Sequence, residues 1–231
     1  MPPITNELAR VKIKIMELID FSKQHSVINQ YIAEIRDCKI QGDRLRFRQN
    51  IMRIGQMMAY EISKRLSYNT ISVEAPLGTA QCDVPCDPMV LCTILRAGLP
   101  FHEGFLNVFD KAENAFVSAY RKYTDQKHFN VHIEYLASPR IDDKTLIIAD
   151  PMLATGSSME LAYQAMLTKG HPKKIHIASV IAAKPAIELM QKVMPEDTTI
   201  WCAAIDDALN AQSYIVPGLG DAGDLIYGEK E

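Results

Sequence analysis

Residues 145–158 read TLIIADPMLATGSS. The first five are a nearly continuous apolar run of strand length, the texture of a strand covered on both faces rather than one. Asp150 ends the run. A loop of Thr, Gly and Ser follows, and from 159 to 169 the pattern is helical, closed by Gly170. Ser157 and Glu160 stand at capping-box spacing, which predicts the helix start at Ser157. The same texture recurs on either side, with apolar runs at 89–95, 115–120, 131–136, 175–183 and 199–205 and a second helix-length segment at 185–193. Strands alternating with helices of this length imply right-handed crossovers and a mostly parallel sheet, so the fold class is α/β. The exception is 115–136, where two runs flank the polar stretch 121–130 and read as a hairpin or long flap.

Upstream the reading is helical. Apolar residues at three- and four-residue steps predict a helix over 5–24 (Leu8, Val11, Ile15, Leu18) and another over 45–66 (Phe47, Ile51, Ile54, Met58, Ile62, Leu66). Short runs at 71–75 and 81–85 around Pro76-Leu77-Gly78 predict a small hairpin. With 231 residues, 48% of them hydrophobic, the chain is long enough to bury a sizeable core without disulfide staples. Its 25 Lys and Arg against 28 Asp and Glu leave a net charge of −3, which argues against a nucleic-acid partner. No run approaches the roughly 18 apolar residues of a membrane span, and no apolar segment backs the N-terminal charges. With five scattered cysteines, these features predict a cytoplasmic protein without a membrane partner.

In open parallel sheets ligands bind beyond the carboxyl ends of the strands, so the residues just after the apolar runs are the candidates. Asp150 is placed to hold sugar hydroxyls, or a cation through water. The hydroxyls and backbone N–H groups that follow it, at a helix start, suit a phosphate monoester. Helix capping alone does not call for Asp, Thr, Gly and two Ser together, which favours the ligand reading. Arg96 follows the run 89–95 at the same edge of the sheet, where its fork suits an anion. Arg121 opens the flap, where closure would bring it onto a ligand. The stretch 218–223, GLGDAG, matches G-x-G-x-x-G, yet Pro217 precedes it and only eight residues follow, too few for a dinucleotide site. It reads instead as a glycine-dense loop whose backbone approaches a flat ligand. There is no nucleotide-triphosphatase loop and no nucleophile elbow, and Cys82, Cys86 and Cys92 lack the fourth ligand of a zinc site.

Three stretches, ILRAGL (94–99), DPMLATGSS (150–158) and YIVPGLGDAGDLIYG (214–228), closely resemble the signature segments of the uracil phosphoribosyltransferase family, in the family's order. HSVINQYIAEIRD, followed by RFR at 46–48, is similar to its N-terminal region. The likeness runs from His25 to Gly228, so residues 25–231 are expected to form a single phosphoribosyltransferase domain and 1–24 a helical extension. The resemblance implies the type I phosphoribosyltransferase fold, a central mostly parallel sheet flanked by helices, with a flap hairpin and a C-terminal hood. It implies transfer of the phosphoribosyl group of 5-phosphoribosyl diphosphate (PRPP) to N1 of uracil, giving UMP and diphosphate with magnesium, a step of pyrimidine salvage.

Carried over residue by residue, Asp150, Pro151, Met152, Leu153, Ala154, Thr155, Gly156, Ser157 and Ser158 would grip the ribose and 5′-phosphate. Arg96 and Arg121 would bind the diphosphate side, and Asp221 would reach PRPP through the metal. Ile215, Gly220, Asp221 and Ala222 would present backbone groups to uracil. Asp150, Arg96, Arg121 and Asp221 make up the expected catalytic set. A leaving anion and an oxocarbenium-like centre need charge neutralisation and positioning rather than a nucleophile, which fits the lack of any triad. Relatives form homodimers or homotetramers, and some are activated by GTP, for which this sequence shows no motif. Three departures stand out: Ser157 where Gly is usual, Lys122-Tyr123-Thr124 after Arg121, and Ala183-Lys184-Pro185 in place of Ala-Pro-Glu-Gly. Ser157 can still donate, whereas the departures after Arg121 and at Lys184 leave a second reading open, a degenerate PRPP- or pyrimidine-sensing homologue. An RNA-binding regulator on the same fold is the other alternative, against which the net charge of −3 counts.

Overall fold

The apolar runs form one eight-stranded sheet in a computed structural model that describes residues 16–123 and 129–229. The chain opens with β1 (Glu17–Asp20), a 3-10 turn (Phe21–Lys23), α1 (Val27–Arg36) and α2 (Arg44–Ser63). The hairpin β2 (Tyr68–Ala75) and β3 (Gly78–Pro85) follows, then β4 (Met89–Ile94), α3 (Leu99–Leu106), β5 (Glu113–Tyr123) and β6 (Phe129–Ala137). Next come β7 (Thr145–Ala149), β8 (Met152–Leu153), α4 (Ser157–Leu167), β9 (Lys174–Ala183), α5 (Lys184–Val193) and β10 (Thr199–Asp206). The C-terminal part comprises β11 (Ala208–Leu209), β12 (Ile215–Val216) and α6 (Ala222–Tyr227).

The sheet order is β1-β10-β9-β7-β4-β5-β6, with β8 alongside β9, and every pairing in it is parallel except β5 with β6. The alternating residues of the central strands feed two separate apolar layers. Leu91, Ile147, Val180 and Trp201 pack under the helices that carry Ile35, Phe47, Ile54 and Phe101. Val90, Ile148, Ile177 and Cys202 pack under α4 and α5 through Met159, Met166, Ile187 and Met190. That double cover is why β7 is buried at all five positions and why its sequence is unbroken by polar residues. The expected stripe from Phe47 to Leu66 is buried throughout, although α2 itself ends at Ser63 and Leu66 lies just beyond it. The fold is α/β, with the mostly parallel sheet and flanking helices that were expected.

Two expectations are corrected. The helix over 5–24 is, over its described part, a strand and a 3-10 turn: Glu17 to Asp20 pair in parallel with Thr199 to Cys202 of β10. An open sheet edge presents a row of unpaired backbone groups, and satisfying them outweighs a weak helical propensity. Asp20 then accepts the Ser22 N–H at 3.0 Å, and Phe21 stacks on Trp201 with ring centroids 6.1 Å apart. Residues 16–24 therefore belong to the sheet and its core, and residues 1–15 lie outside the described part. The polar connector 121–130 is also shorter than expected, because β5 and β6 stay paired, across one register shift between Ser118 and Ala119, as far as Tyr123 opposite Phe129. The ladder takes up the backbone groups of that polar stretch regardless of side-chain character. Thr124 falls among residues 124–128, outside the described part.

Candidate active site

The parallel strands β4 and β7 end at one edge of the sheet, and the chain beyond them walls a cleft of about 290 Å³. Ile94 to Ala97 form the wall after β4. Asp150, Met152, Ala154 and Ser158 form the wall after β7, reaching into the first turn of α4. The third wall is the C-terminal hood, through Ser213 to Ile215 and Gly220 to Gly223.

Asp150 is anchored from both sides. Its N–H donates to the carbonyl of Ala178 on β9 at 3.1 Å, and one carboxylate oxygen accepts the Met152 N–H at 3.3 Å. Burial outweighs that hydrogen bond and pushes its pKa up to about 7. Arg96 is exposed, linked to β4 through a cis Leu95–Arg96 peptide, with its guanidinium 3.7 Å from the Asp224 carboxylate and 6.0 Å above the Tyr227 ring. The turn behind it requires Gly98, since a Cβ there would meet the Thr93 hydroxyl at 2.1 Å.

The start of α4 corrects the capping-box expectation. Gly156, at φ 83°, is the cap, and Ser157 is already helical. The left-handed cap displaces Ser157 by one position, so its N–H donates to the Thr155 hydroxyl at 3.3 Å instead of its own hydroxyl capping the helix. The helix start still presents free N–H groups and the positive end of an eleven-residue dipole, with the Ser158 hydroxyl in the cleft.

The hood is a short ribbon, β11 against β12, followed by a cis Val216–Pro217 bond and the loop into α6. Asn210 closes the ribbon turn, its side-chain oxygen accepting the N–H groups of Gln212 and Tyr214 at 3.0 and 2.9 Å. Asp221 caps α6 by accepting the Asp224 N–H at 3.0 Å. Ile215 and Ala222 are buried, whereas Gly220, at φ 92°, is exposed.

Of the residues expected at the site, Arg96, Asp150, Met152, Ala154, Ser158, Ile215, Gly220, Asp221 and Ala222 meet in this cleft. Pro151, Leu153, Thr155, Gly156 and Ser157 shape the same loop without lining the cleft; Pro151 and Leu153 are buried supports beneath it. Arg121 lies on β5 opposite Val131, and its side chain is outside the described residues. Sequence reasoning missed Ile94, Leu95 and Ala97, the neighbours of Arg96 in the quoted ILRAGL, and Ser213, Tyr214 and Gly223 as lining residues. The last three are the ones that come from the hood. They sit within the stretch quoted as YIVPGLGDAGDLIYG or beside it, and their approach to β4 depends on the return of the chain, which has no local signal.

Comparison with known proteins agrees with this geometry. The family model described as uracil phosphoribosyltransferase matches residues 22–229. A uracil phosphoribosyltransferase of Porphyromonas gingivalis is 64% identical over 93% of this chain and 100% of its own length. One from Methanothermobacter thermautotrophicus is 40% identical over 79% of this chain and 83% of its own. The solved structure of the AQ2163 protein from Aquifex aeolicus superposes with a TM-score of 0.80, at 29% identity, over 91% of this chain and 98% of that one. With a parallel-sheet edge, an anion-suited helix start and a glycine-dense hood closing one cleft, and with relatives matched along nearly their full length, the chain belongs to the uracil phosphoribosyltransferase family.

Proposed function

We propose that the chain transfers the phosphoribosyl group of PRPP to N1 of uracil, giving UMP and diphosphate in pyrimidine salvage. The observation that carries this is one cleft walled on one side by a strand-end carboxylate and a helix start, and on another by residues of the glycine-dense hood. The α4 start and the loop 154–158 receive the 5′-phosphate through N–H groups and hydroxyls. Asp150 holds the ribose hydroxyls, and its charge gains value as the ribosyl centre becomes cationic. Arg96 and Arg121 take the diphosphate, so that negative charge leaves toward fixed cations. Backbone groups of Ile215 and Gly220 to Ala222 hold the base so that N1 faces the ribosyl carbon, which supplies the orientation on which the rate depends.

Magnesium would come to this cleft with the diphosphate of the substrate and would supply charge neutralisation there. Among the described residues no three carboxylate, imidazole or thiol groups gather to hold an ion by themselves, whereas Asp150 and Asp221 line the cleft. Magnesium held by one or two carboxylates, substrate oxygens and water is a favourable arrangement, and it would neutralise charge on the leaving group. The enzyme is assigned to the cytoplasm as a homodimer or homotetramer. No helix among the described residues is long and apolar enough to cross a membrane.

Product formation from PRPP and magnesium, with uracil, cytosine, hypoxanthine or adenine offered separately, tests the assignment. Cytosine exchanges a donor for an acceptor at position 3 and an acceptor for a donor at position 4. A base site built from fixed peptide groups leaves both unpaired, at about 1–3 kcal/mol each. UMP is therefore expected from uracil, with at least roughly 100-fold preference over cytosine. Comparable rates with cytosine or hypoxanthine would overturn the base assignment, and PRPP binding with no product from any base would favour the ligand-sensing reading.

A further inference from the structure

We infer that Arg36 and Asp206, an ion pair outside the cleft, act as positioning residues for the base. This rests on the reading of Gly220 to Ala222 as the segment that faces uracil. Arg36 ends α1 and Asp206 ends β10, where it is 7% exposed. Their contact is two-pronged, Nη1 to Oδ2 at 2.8 Å and Nη2 to Oδ1 at 2.7 Å. The same atoms also grip the hood. Nη1 donates to the carbonyl of Gly218 at 2.9 Å, and the Gly218 N–H donates to Asp206 Oδ2 at 2.9 Å.

One ion pair thus holds both polar groups of a single backbone residue, and with them the peptide planes on either side of it. Gly218 stands at φ 61°, and a Cβ there would meet the Ile215 carbonyl oxygen at 2.1 Å. The loop therefore has no side chain at this point to pack it down, and its orientation is imposed from outside. The next plane is held as well: Gln41, between α1 and α2, donates to the Leu219 carbonyl at 3.2 Å. In a trans peptide the C=O and N–H point opposite ways, so the grip on Leu219 also sets the direction of the Gly220 N–H.

A buried ion pair contributes little to stability against an apolar alternative, and its best-attested use is to fix one arrangement among several. In this hood the arrangement fixed is the orientation of the peptide groups leading into the base segment. The clamp joins α1, the turn after it and β10 to the hood, whereas β4, β7 and α4 supply the PRPP side of the cleft. Loosening the clamp is therefore expected to act first on base recognition, and on PRPP only through Asp221, the one hood residue expected to reach it.

The test compares Arg36→Met, Arg36→Lys and Gln41→Leu with the unaltered enzyme, measuring KM for uracil and for PRPP, kcat, the uracil-to-cytosine ratio of kcat/KM, and Tm. Arg36→Met is expected to raise KM for uracil about tenfold or more, the loss of roughly one buried charged hydrogen bond. The base ratio should fall by a similar factor, while KM for PRPP, held mainly by β4, β7 and α4, rises by a clearly smaller factor, unlike a general loosening. Arg36→Lys, which keeps the charge but loses the fork, is expected to fall between. Gln41→Leu removes the hold on the Leu219 carbonyl, together with the bonds of the same amide to the Ile35 and Arg36 carbonyls, and leaves the ion pair in place. It is expected to shift uracil by a smaller factor, which keeps the test open if Arg36→Met fails to fold. Unchanged uracil KM and base ratio in the folded variants, or equal rises in both KM values, overturn the clamp alone when the unaltered enzyme makes UMP. An unaltered enzyme that makes no UMP from uracil overturns the base assignment and the clamp with it.

Discussion

The carboxyl group of Asp150 sits at the end of a strand buried on both faces, and that burial pushes its pKa up to about 7, from 3.8 for an ordinary aspartate. Between those values the folded chain keeps a proton that the unfolded chain has released, so stability linked to this group is full below pH 4 and is lost as pH rises through about 7. Asp150→Asn, neutral throughout, escapes the loss. Its Tm relative to the unaltered protein is expected to climb between pH 4 and pH 7 and then level off, in thermal melts across that range. Turnover moves the other way. Losing a charged hydrogen bond that strengthens as the ribosyl cation forms costs about 2–3 kcal/mol, roughly 30- to 150-fold in kcat. In the unaltered enzyme, kcat/KM for PRPP should rise with pH up to about 7 and then flatten, since the free enzyme must ionise this group. Equal turnover in Asp150→Asn, or a pH-independent Tm difference, would show that Asp150 does not hold the ribose through its charge.

The elements explain why some of this is legible in the sequence. β4, β7, β9 and β10 stand out because burial on both faces demands apolar residues at consecutive positions. Asp150 and Arg96 follow from them, since they come directly after such strands. β1 is hidden because it lies at an edge with Glu17 and Leu18 exposed, so its few apolar residues fit a helical period equally well. α1 does carry a signal, Ile28, Ile32 and Ile35 at helical spacing and all buried, although the sequence reading passes over it. The two-residue strands β8, β11 and β12 and the six-residue α6 are too short to show any period. The outline of the hood and the lining role of Ser213 and Tyr214 are lost with them. The hidden edge is nonetheless part of the core. Phe21 is 3% exposed against Trp201, so Phe21→Ala is expected to cost about 3–5 kcal/mol in urea unfolding. A loss below about 1 kcal/mol would make the 16–24 segment an appendage after all.

For the molecule as a whole, the hairpin β2–β3 stands out: among the described residues β2 is exposed at all eight positions. Ile71 pairs with Cys82 and Val73 with Ala80, which puts apolar residues on one face, yet Ile71 and Val73 remain 43% and 39% exposed. A homo-oligomer in which a second copy covers that face resolves the mismatch. Light scattering is expected to give at least twice the 25.9 kDa chain mass, and Ile71→Asp with Val73→Asp to shift the population toward a single chain. A monomer in both cases would leave the hairpin without a partner. In the main sheet, Trp201 is the chain's only tryptophan, 2% exposed, with its indole N–H donating to His176 Nδ1 at 3.2 Å. Burial lowers the pKa of that imidazole to about 3, so the ring stays neutral through the working pH range and adds no charge-dependent quenching. The protein therefore carries its own optical probe: a single buried emitter seated between β1 and β9, on the face away from α4 and α5, whose red shift would mark the moment water enters beneath the β1 edge of the sheet.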